Sequence, residues 1–282
     1  MKVGVDLGGT KLAVGTLDGP LSLRPTPDTA EGIVAEVRAL AGEASGIGVC
    51  VAGRVDVSTG QTAAANLPQL DGFPLAGALE QGGVQVALLN DADAAALAEH
   101  HLGAASGAHT SLYVTVSTGI GAGLVAAGRL HTGAHGQALE LGHVSGGPAG
   151  QPCPCGRTGC LELVASGTAL TRQARTNLND PAASPEALAA LAAEGDRRVL
   201  DPLEAAAQAL GERLADACIL LDPDVVVLGG GVVGGYGERY LTPLRAALTR
   251  ALGPWHVPDL RVARLGSRAG VLGAILALEQ QA

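Results

Sequence analysis

The stretch KVGVDLGGTKLAVGTLDGPL, residues 2–21, decides the fold reading, because LYVTVSTGIGAGLVAAGRL, residues 112–130, repeats it. Val5 falls on Val116, Gly8 on Gly119 and Val14 on Val125, each 111 positions further on. Both copies read as a strand, a Gly-rich hairpin and a second strand. A repeat of this kind points to two related halves in one chain. Around each copy, apolar strand patterns alternate with helical ones. GIGVCVA (46–52) and VQVALLN (84–90) read as buried strands, and DADAAALAEHHL (91–102) reads as an Ala-rich helix. A helix is expected over about 28–42, capped by Asp28 or Thr29. The small-polar stretch GAASGAH (103–109) marks a candidate boundary. The later part gives a long helix over about 197–221, a strand running into Gly229, Gly230 and Gly231, and a helix with Thr242 as N-cap and Pro243 first. LRVARL then reads as a strand, and RAGVLGAILALEQ as a last helix. Strands alternating with helices predict an α/β fold whose sheets are covered on both faces.

The 282 residues suffice for two cores. With 47% hydrophobic but only 2% aromatic residues, those cores must be built from Leu, Val, Ile and Ala. The net charge of −9 argues against nucleic acid, which needs clustered cations, so an anionic ligand would have to be held by backbone N–H groups or by a local cation. No apolar run is long enough for a membrane span, and no leader pattern opens the chain. An odd number of cysteines, five, fits a reduced, cytoplasmic setting better than a disulfide framework.

Five stretches carry chemistry. The hairpins DLGGTK (6–11) and STGIGAG (117–123), with the turn at 229–231, offer glycines that let backbone approach phosphate; a plain hairpin turn is the alternative for any one of them. Neither hairpin is a Walker loop, and GIGAG between two strands is a poor dinucleotide fingerprint. LLND (88–91) places Asn90 and Asp91 where a strand ends and a helix begins. That is a ligand position in open α/β sheets and equally a pair of helix caps. ELGHVSGGPAGQPCPCGRTGCLE (140–162) holds His143, Cys153, Cys155 and Cys160. Three thiolates and an imidazole can close a tetrahedral zinc site, although the spacing is not that of a common zinc finger, and buried thiols or a redox pair stay open. Anchoring His143 and Cys160 would also anchor Glu140 and Glu162. Cys50 and Cys218 sit in apolar patterns and read as packing residues. His131 and His135 read as loop residues.

The duplicated halves with paired hairpins resemble the actin-like ATPases. The motifs DLGGTK, GRVD, AANLP, NDADAAALAE, STGIGAG, ELGH and CPCGRTGCLE go further: over essentially the whole chain they resemble the ROK family of bacterial sugar kinases and related repressors. The resemblance implies an α/β fold of two actin-like (ribonuclease H-like) domains with an interdomain cleft and a zinc-bearing loop. An N-terminal domain, 1–108, would have the C-terminal helix, about 268–282, packed back on it. A C-terminal domain, 109–282, would carry the zinc loop 143–160.

The activity implied is ATP-dependent phosphorylation of a hexose. Glucose, giving glucose 6-phosphate, stands first, with N-acetylglucosamine, N-acetylmannosamine or fructose as alternatives and a non-catalytic sugar sensor as another class. Carried over residue by residue, Asp91 is the catalytic carboxylate, and Asn66, Asn90, Asp91, Glu140, His143 and Glu162 hold sugar. Asp6 organises Mg²⁺. Gly8, Gly9, Thr10, Lys11, Thr118, Gly119 and Gly121 meet phosphate, and Gly229, Gly230 and Gly231 border the adenosine. His143, Cys153, Cys155 and Cys160 bind structural Zn²⁺. The partners implied are sugar and ATP, with no nucleic acid and no membrane, in a homodimer or homotetramer. Two departures bear on sugar choice. Leu139 stands where the family usually has Gly before Glu140, and QLDGFP follows Asn66 where the family more often has a Trp.

Overall fold

A computed structural model of the chain describes residues 1–56, 59–64, 66–80 and 82–280. Ala65 of the AANLP motif, and Gln281 and Ala282 at the end of the expected last helix, lie outside the described residues. The chain forms two compact units: Met1–Tyr113 with Gly123–Leu139 and Arg264–Ala282, and Val114–Ala122 with Glu140–Ala263.

The elements run β1 (Lys2–Leu7), β2 (Lys11–Gly15), β3 (Ser22–Pro25), α1 (Ala30–Ala41), β4 (Gly46–Val51), β5 (Arg54–Asp56), β6 (Gln61–Ala63), α2 (Leu75–Glu80), β7 (Gln85–Asn90) and α3 (Asp91–His101). They continue with β8 (Thr110–Val116), β9 (Ile120–Ala126), β10 (Arg129–Leu130), α4 (Glu162–Ala165), α5 (Gly167–Leu178), α6 (Pro185–Glu194), α7 (Arg197–Leu221), β11 (Val225–Gly229), α8 (Gly231–Tyr236), α9 (Glu238–Leu252), β12 (Asp259–Val262) and α10 (Ala269–Gln280). One five-stranded sheet has the order β3-β2-β1-β4-β7 and the other β10-β9-β8-β11-β12. The two orders are the same topology written twice, an antiparallel hairpin leading into parallel strands, which is the structural counterpart of the sequence repeat.

Period-two alternation in β1 and β4 decides what each face of the first sheet does. Val3, Val5 and Leu7 with Ile47, Val49 and Val51 are buried in a core that includes Ile33 and Val37 of α1 and Leu75 and Leu79 of α2. The opposite face carries Gly4 and Asp6 on β1, and Gly48 and Cys50 on β4, paired in register. These small residues let α10 lie directly on the sheet: a Cβ at Gly4 or Gly48 would overlap the carbonyls of Val271 or Ala274. Helix α10 also packs on α3 through Gly273, which abuts the Ala94 backbone. Thus a polyalanine helix and two strand glycines are one packing solution. Backbone comes close where aromatic side chains would otherwise have to fill space.

Glu99, 1% exposed, holds the returning chain in this unit. Its Oε2 accepts from the N–H of Ala104 at 2.7 Å, and its Oε1 from those of Arg264 and Leu265, both at 2.8 Å. Three backbone donors satisfy a buried carboxylate that would otherwise be costly.

In the second unit α7, 25 residues long, packs along α9 and α5. Here one expectation fails. Helix α9 begins at Glu238, with Gly237 at its N-cap, so Pro243 lies inside it and Thr242 caps nothing; its hydroxyl donates to the Glu238 carboxylate at 2.9 Å. Burial of Tyr240 and Leu241 draws the chain into helix one turn early, and packing outweighs the local proline signal.

Candidate active site

In the first unit the candidate residues gather at the carboxyl edge of the parallel strands. The register sets Asp6, Cys50 and Leu89 in one row, and Leu7, Val51 and Asn90 in the next. Asn90 is the N-cap of α3. Its Oδ1 accepts from the Ala92 N–H at 2.7 Å, and its Nδ2 donates to the Gly53 carbonyl at 2.8 Å. Asp91 follows as the first residue of the helix, its Oδ1 also within 2.9 Å of the Ala92 nitrogen. The cap and the ligand position are therefore the same place. The helix N-terminus that the side chains satisfy also favours a negative charge there.

Asp6 faces the start of α10, where a Cβ on Gly270 would lie 2.8 Å from its Oδ2 and 3.0 Å from the Cys50 sulfur. Burial raises the Asp6 carboxyl above its usual range, opposed by a hydrogen bond from Cys50 and by the Lys11 charge. Cys50 is itself pushed well up, by burial first and then by the Asp6 and Asp91 charges. It is buried, as expected, but it is more than packing. Its thiol hydrogen-bonds Asp6 and feels the charge of Asp91, and nothing in the run GIGVCVA signalled that.

The hairpin between β1 and β2 is closed by the Gly8 N–H donating to the Lys11 carbonyl at 3.1 Å. From outside, Thr26 braces it: the hydroxyl donates to the Gly8 carbonyl at 2.6 Å, and the N–H to the Thr10 carbonyl at 3.1 Å. Gly9 presses on Asn66, where a Cβ would come within 2.5 Å of the Asn66 carbonyl. Gly9, Thr10, Lys11 and Asn66 are all exposed.

In the second unit the hairpin Ser117–Gly119 adjoins a cavity of about 1030 Å³. Ser117, Thr118, Gly167, Gly231 and Tyr236 line it, together with Arg172 and Arg175 of α5. The hairpin carbonyls of Ser117 and Thr118 accept from the N–H groups of Gly167 and Thr168 at 2.7 and 3.3 Å. Gly230, with φ +93°, abuts the Val116 backbone, a place and a conformation that only glycine tolerates. Gly229 is the last residue of β11 and lies behind the turn; Gly121 lies one residue inside β9. The two arginines were not foreseen, because α5 offers no motif beyond amphipathic spacing.

The four metal candidates do come together. One donor atom each from His143, Cys153, Cys155 and Cys160 lies within 4.8 Å of every other. Cys155 and Cys160 sulfurs are 3.7 Å apart, and Cys153 Sγ is 3.8 Å from His143 Nδ1. A tetrahedron with Zn–S bonds of about 2.3 Å needs sulfurs about 3.8 Å apart, so the cluster is compatible with closed zinc coordination. The loop is laced by its own backbone, with the Cys153 N–H on the Arg157 carbonyl at 2.8 Å and that of Gly159 on the Gln151 carbonyl at 2.8 Å. Burial and the neighbouring thiols push Cys160 up to about 12, while hydrogen bonds hold Cys155 below its ordinary value; a bound cation would favour the thiolate form of all three cysteines. His143 turns its other nitrogen, Nε2, toward Glu140 Oε2 at 3.9 Å. At that distance this is a long-range contact and not a hydrogen bond, although a carboxylate on this side is the usual kind of second partner for a zinc histidine.

Glu140 is largely exposed, and Leu139 before it has φ +60°. That left-handed conformation costs a leucine on the order of 1 kcal/mol and a glycine nothing. Glu162 opens α4, and its Oε2 accepts from the Ile120 N–H at 2.8 Å. His131 and His135 are exposed, as read.

The ROK family model matches residues 2–281. The chain belongs to the ROK family. Among relatives of this ROK chain, an N-acetylmannosamine kinase of Salmonella typhi is 36% identical over 96% of both chains. A crystal structure of a ROK hexokinase from Thermus thermophilus is 42% identical with a TM-score of 0.88, covering 99% of this chain and 98% of that one. A ROK family glucokinase from Streptomyces griseus, in complex with glucose and AMPPNP, is 34% identical with a TM-score of 0.82, covering 99% of both. These likenesses agree with the duplicated sheets in giving this ROK chain the actin-like α/β fold. Among its described residues, no helix is long and apolar enough to cross a membrane.

Proposed function

We propose that this ROK sugar kinase transfers the γ-phosphoryl group of ATP to a hexose hydroxyl, with glucose as substrate and glucose 6-phosphate as product. The observation that carries the reading is the place of Asp91, first in α3 at the carboxyl edge of the strands, beside the row that holds Asp6. Asp91 accepts the proton of the attacking hydroxyl. The helix N-terminus at which it sits favours a negative charge. A base of low basicity suffices in a loose phosphoryl-transfer transition state, where orientation counts more than proton pull.

Asn66, Asn90, Glu140, His143 and Glu162 bind sugar hydroxyls. The capping bonds of Asn90 fix its amide, so one remaining N–H points in a preset direction. Gly8, Gly9, Thr10 and Lys11, with Thr118, Gly119 and Gly121, meet the phosphates. Mg²⁺ near Asp6, joined to it through water, would neutralise charge on the β- and γ-phosphates. Gly229, Gly230 and Gly231 border the adenosine, and the arginine-lined cavity beside the second hairpin receives the nucleotide. Zinc on His143, Cys153, Cys155 and Cys160 is structural, since four protein ligands leave no open position. The protein works in the cytoplasm as a homodimer or homotetramer.

The glucose reading is supported by the hexokinase and glucokinase relatives. N-acetylmannosamine is the second reading, favoured by the 36% identical kinase. Coupled assays of ATP consumption over glucose, N-acetylmannosamine, N-acetylglucosamine and fructose decide between them. Glucose is expected to give the highest kcat/KM; a preference for N-acetylmannosamine of tenfold or more, on the order of 1.4 kcal/mol, would move the assignment.

A further inference from the structure

Three segments of the second unit meet at one carboxylate. Glu162 Oε2 accepts from the Ile120 N–H at 2.8 Å, at the exit of the hairpin 117–119. A side chain at Gly119 would displace this contact, because a Cβ there would overlap that same oxygen. Gly142, next to the cluster histidine, is pressed from the same direction: a Cβ would lie 2.5 Å from the Ile120 carbonyl and 3.4 Å from Glu162 Oε2. Glu162 itself follows Cys160 by two residues, and Cys160 pairs with Ser145 in an isolated bridge. The hairpin and both arms of the cysteine–histidine loop thus share one contact, and the glycines at Gly119 and Gly142 are the space that contact requires.

We propose that Glu162 is a positioning residue that transmits the order of the cysteine–histidine loop to the phosphate hairpin, so that nucleotide binding depends on an intact metal cluster even when no sugar is present. This rests on the reading of Ser117–Gly119 as phosphate-binding and of the cluster as metal-binding. The hairpin has two supports. The N-terminus of α5 holds its Ser117 and Thr118 carbonyls. Glu162 holds the N–H that follows them. A hairpin that loses the second support spends part of its time in other shapes, and the nucleotide must then draw it back, which lowers apparent affinity by the fraction competent. An ionised acceptor makes this a charge-assisted bond, stronger than a neutral one.

The test is binding of Mg–AMPPNP to the full chain without sugar, with amide hydrogen exchange read at Ile120. Glu162→Ala should weaken binding by roughly tenfold or more, the equivalent of one charge-assisted hydrogen bond. Glu162→Gln, whose amide oxygen can still accept from Ile120, should stay within about threefold, because a neutral acceptor keeps part of that bond. Cys155→Ser should also weaken binding, and the double variant Glu162→Ala/Cys155→Ser should be no weaker than Glu162→Ala alone, since both act through one link. Exchange at Ile120 should rise in Glu162→Ala while β9 from Ala122 onward keeps its protection. Wild-type-like nucleotide binding by Glu162→Ala would overturn the coupling alone. Additive losses in the double variant, or loss of protection spread evenly over β8 and β9, would overturn it too. Failure of the wild type to bind Mg–AMPPNP at all would overturn the coupling together with the kinase reading beneath it.

Discussion

The two glycine hairpins occupy equivalent places in two sheets of one topology, yet they are held by different means. The first is braced by backbone and hydroxyl: Thr26 ties Gly8 and Thr10, and Gly9 lies against the Asn66 main chain. It carries charge of its own in Asp6 and Lys11. The second carries none within Ser117–Gly119 and borrows it from outside, from Glu162 at Ile120 and from Arg172 and Arg175 around the adjoining cavity. Duplication therefore preserved the path of the chain and let the electrostatics diverge. The first hairpin cannot yield without moving main chain, whereas the second, although α5 backbone also holds its Ser117 and Thr118 carbonyls, can release its carboxylate support by a rotamer.

That contrast sets the size of the expected effects. Gly9→Ala puts a Cβ 2.5 Å from a main-chain carbonyl and should lower kcat/KM for ATP by about 10²-fold, the cost of a misplacement near 1 Å. Gly119→Ala meets only the flexible end of Glu162 and should cost less, about tenfold, one side-chain hydrogen bond to a charged group at most. Equal losses in the two variants, measured by steady-state kinetics at saturating sugar, would erase the distinction. Cys155→Ser touches only the second half. It should lower Tm by roughly 5 °C or more through loss of metal-linked stability, and raise the sugar KM as Glu140 and Glu162 lose their anchor. A zinc content well under one per chain in the wild type, purified without chelator, would remove that expectation.

The smallest expected change in stability lies in the first half. Asp6 is raised by burial, so its ionised form is penalised in the folded state and the folded chain binds the proton more tightly than the unfolded one. Stability contributed by this group is present at low pH and falls as pH rises through its folded range. Asp6→Asn should remove that fall and raise Tm at neutral pH, while turnover is lost. Scanning calorimetry with and without the substitution reads the sign.

How much of this was legible in the sequence depends on how local its cause is. Strand alternation, the repeat at Val5 and Val116, the Thr29 cap and the 25-residue helix α7 are local signals, and each stands where it was read. The four cluster residues were legible because cysteines are rare in this chain. The start of α9 was not, since burial of Tyr240 is a tertiary fact that overrode Thr242 and Pro243. Nor was the role of Cys50, whose neighbours Asp6 and Asp91 come from another strand and from the start of α3. Arg172 and Arg175 face the cavity for the same reason: only packing of α5 says which side of the helix they occupy.

The central claim is that Asp91 does chemistry as well as begin a helix. The direct measurement is Asp91→Asn, followed by steady-state kinetics and by sugar binding on the same protein. Asn90 remains the N-cap and asparagine is tolerated in the first turn, so the helix should survive. The kinase reading expects kcat to fall by about 10²–10⁴-fold, the range for a positioned acid–base group, with sugar affinity within a few-fold of wild type. Turnover close to wild type would contradict it and leave Asp91 with only its place in the first turn of α3.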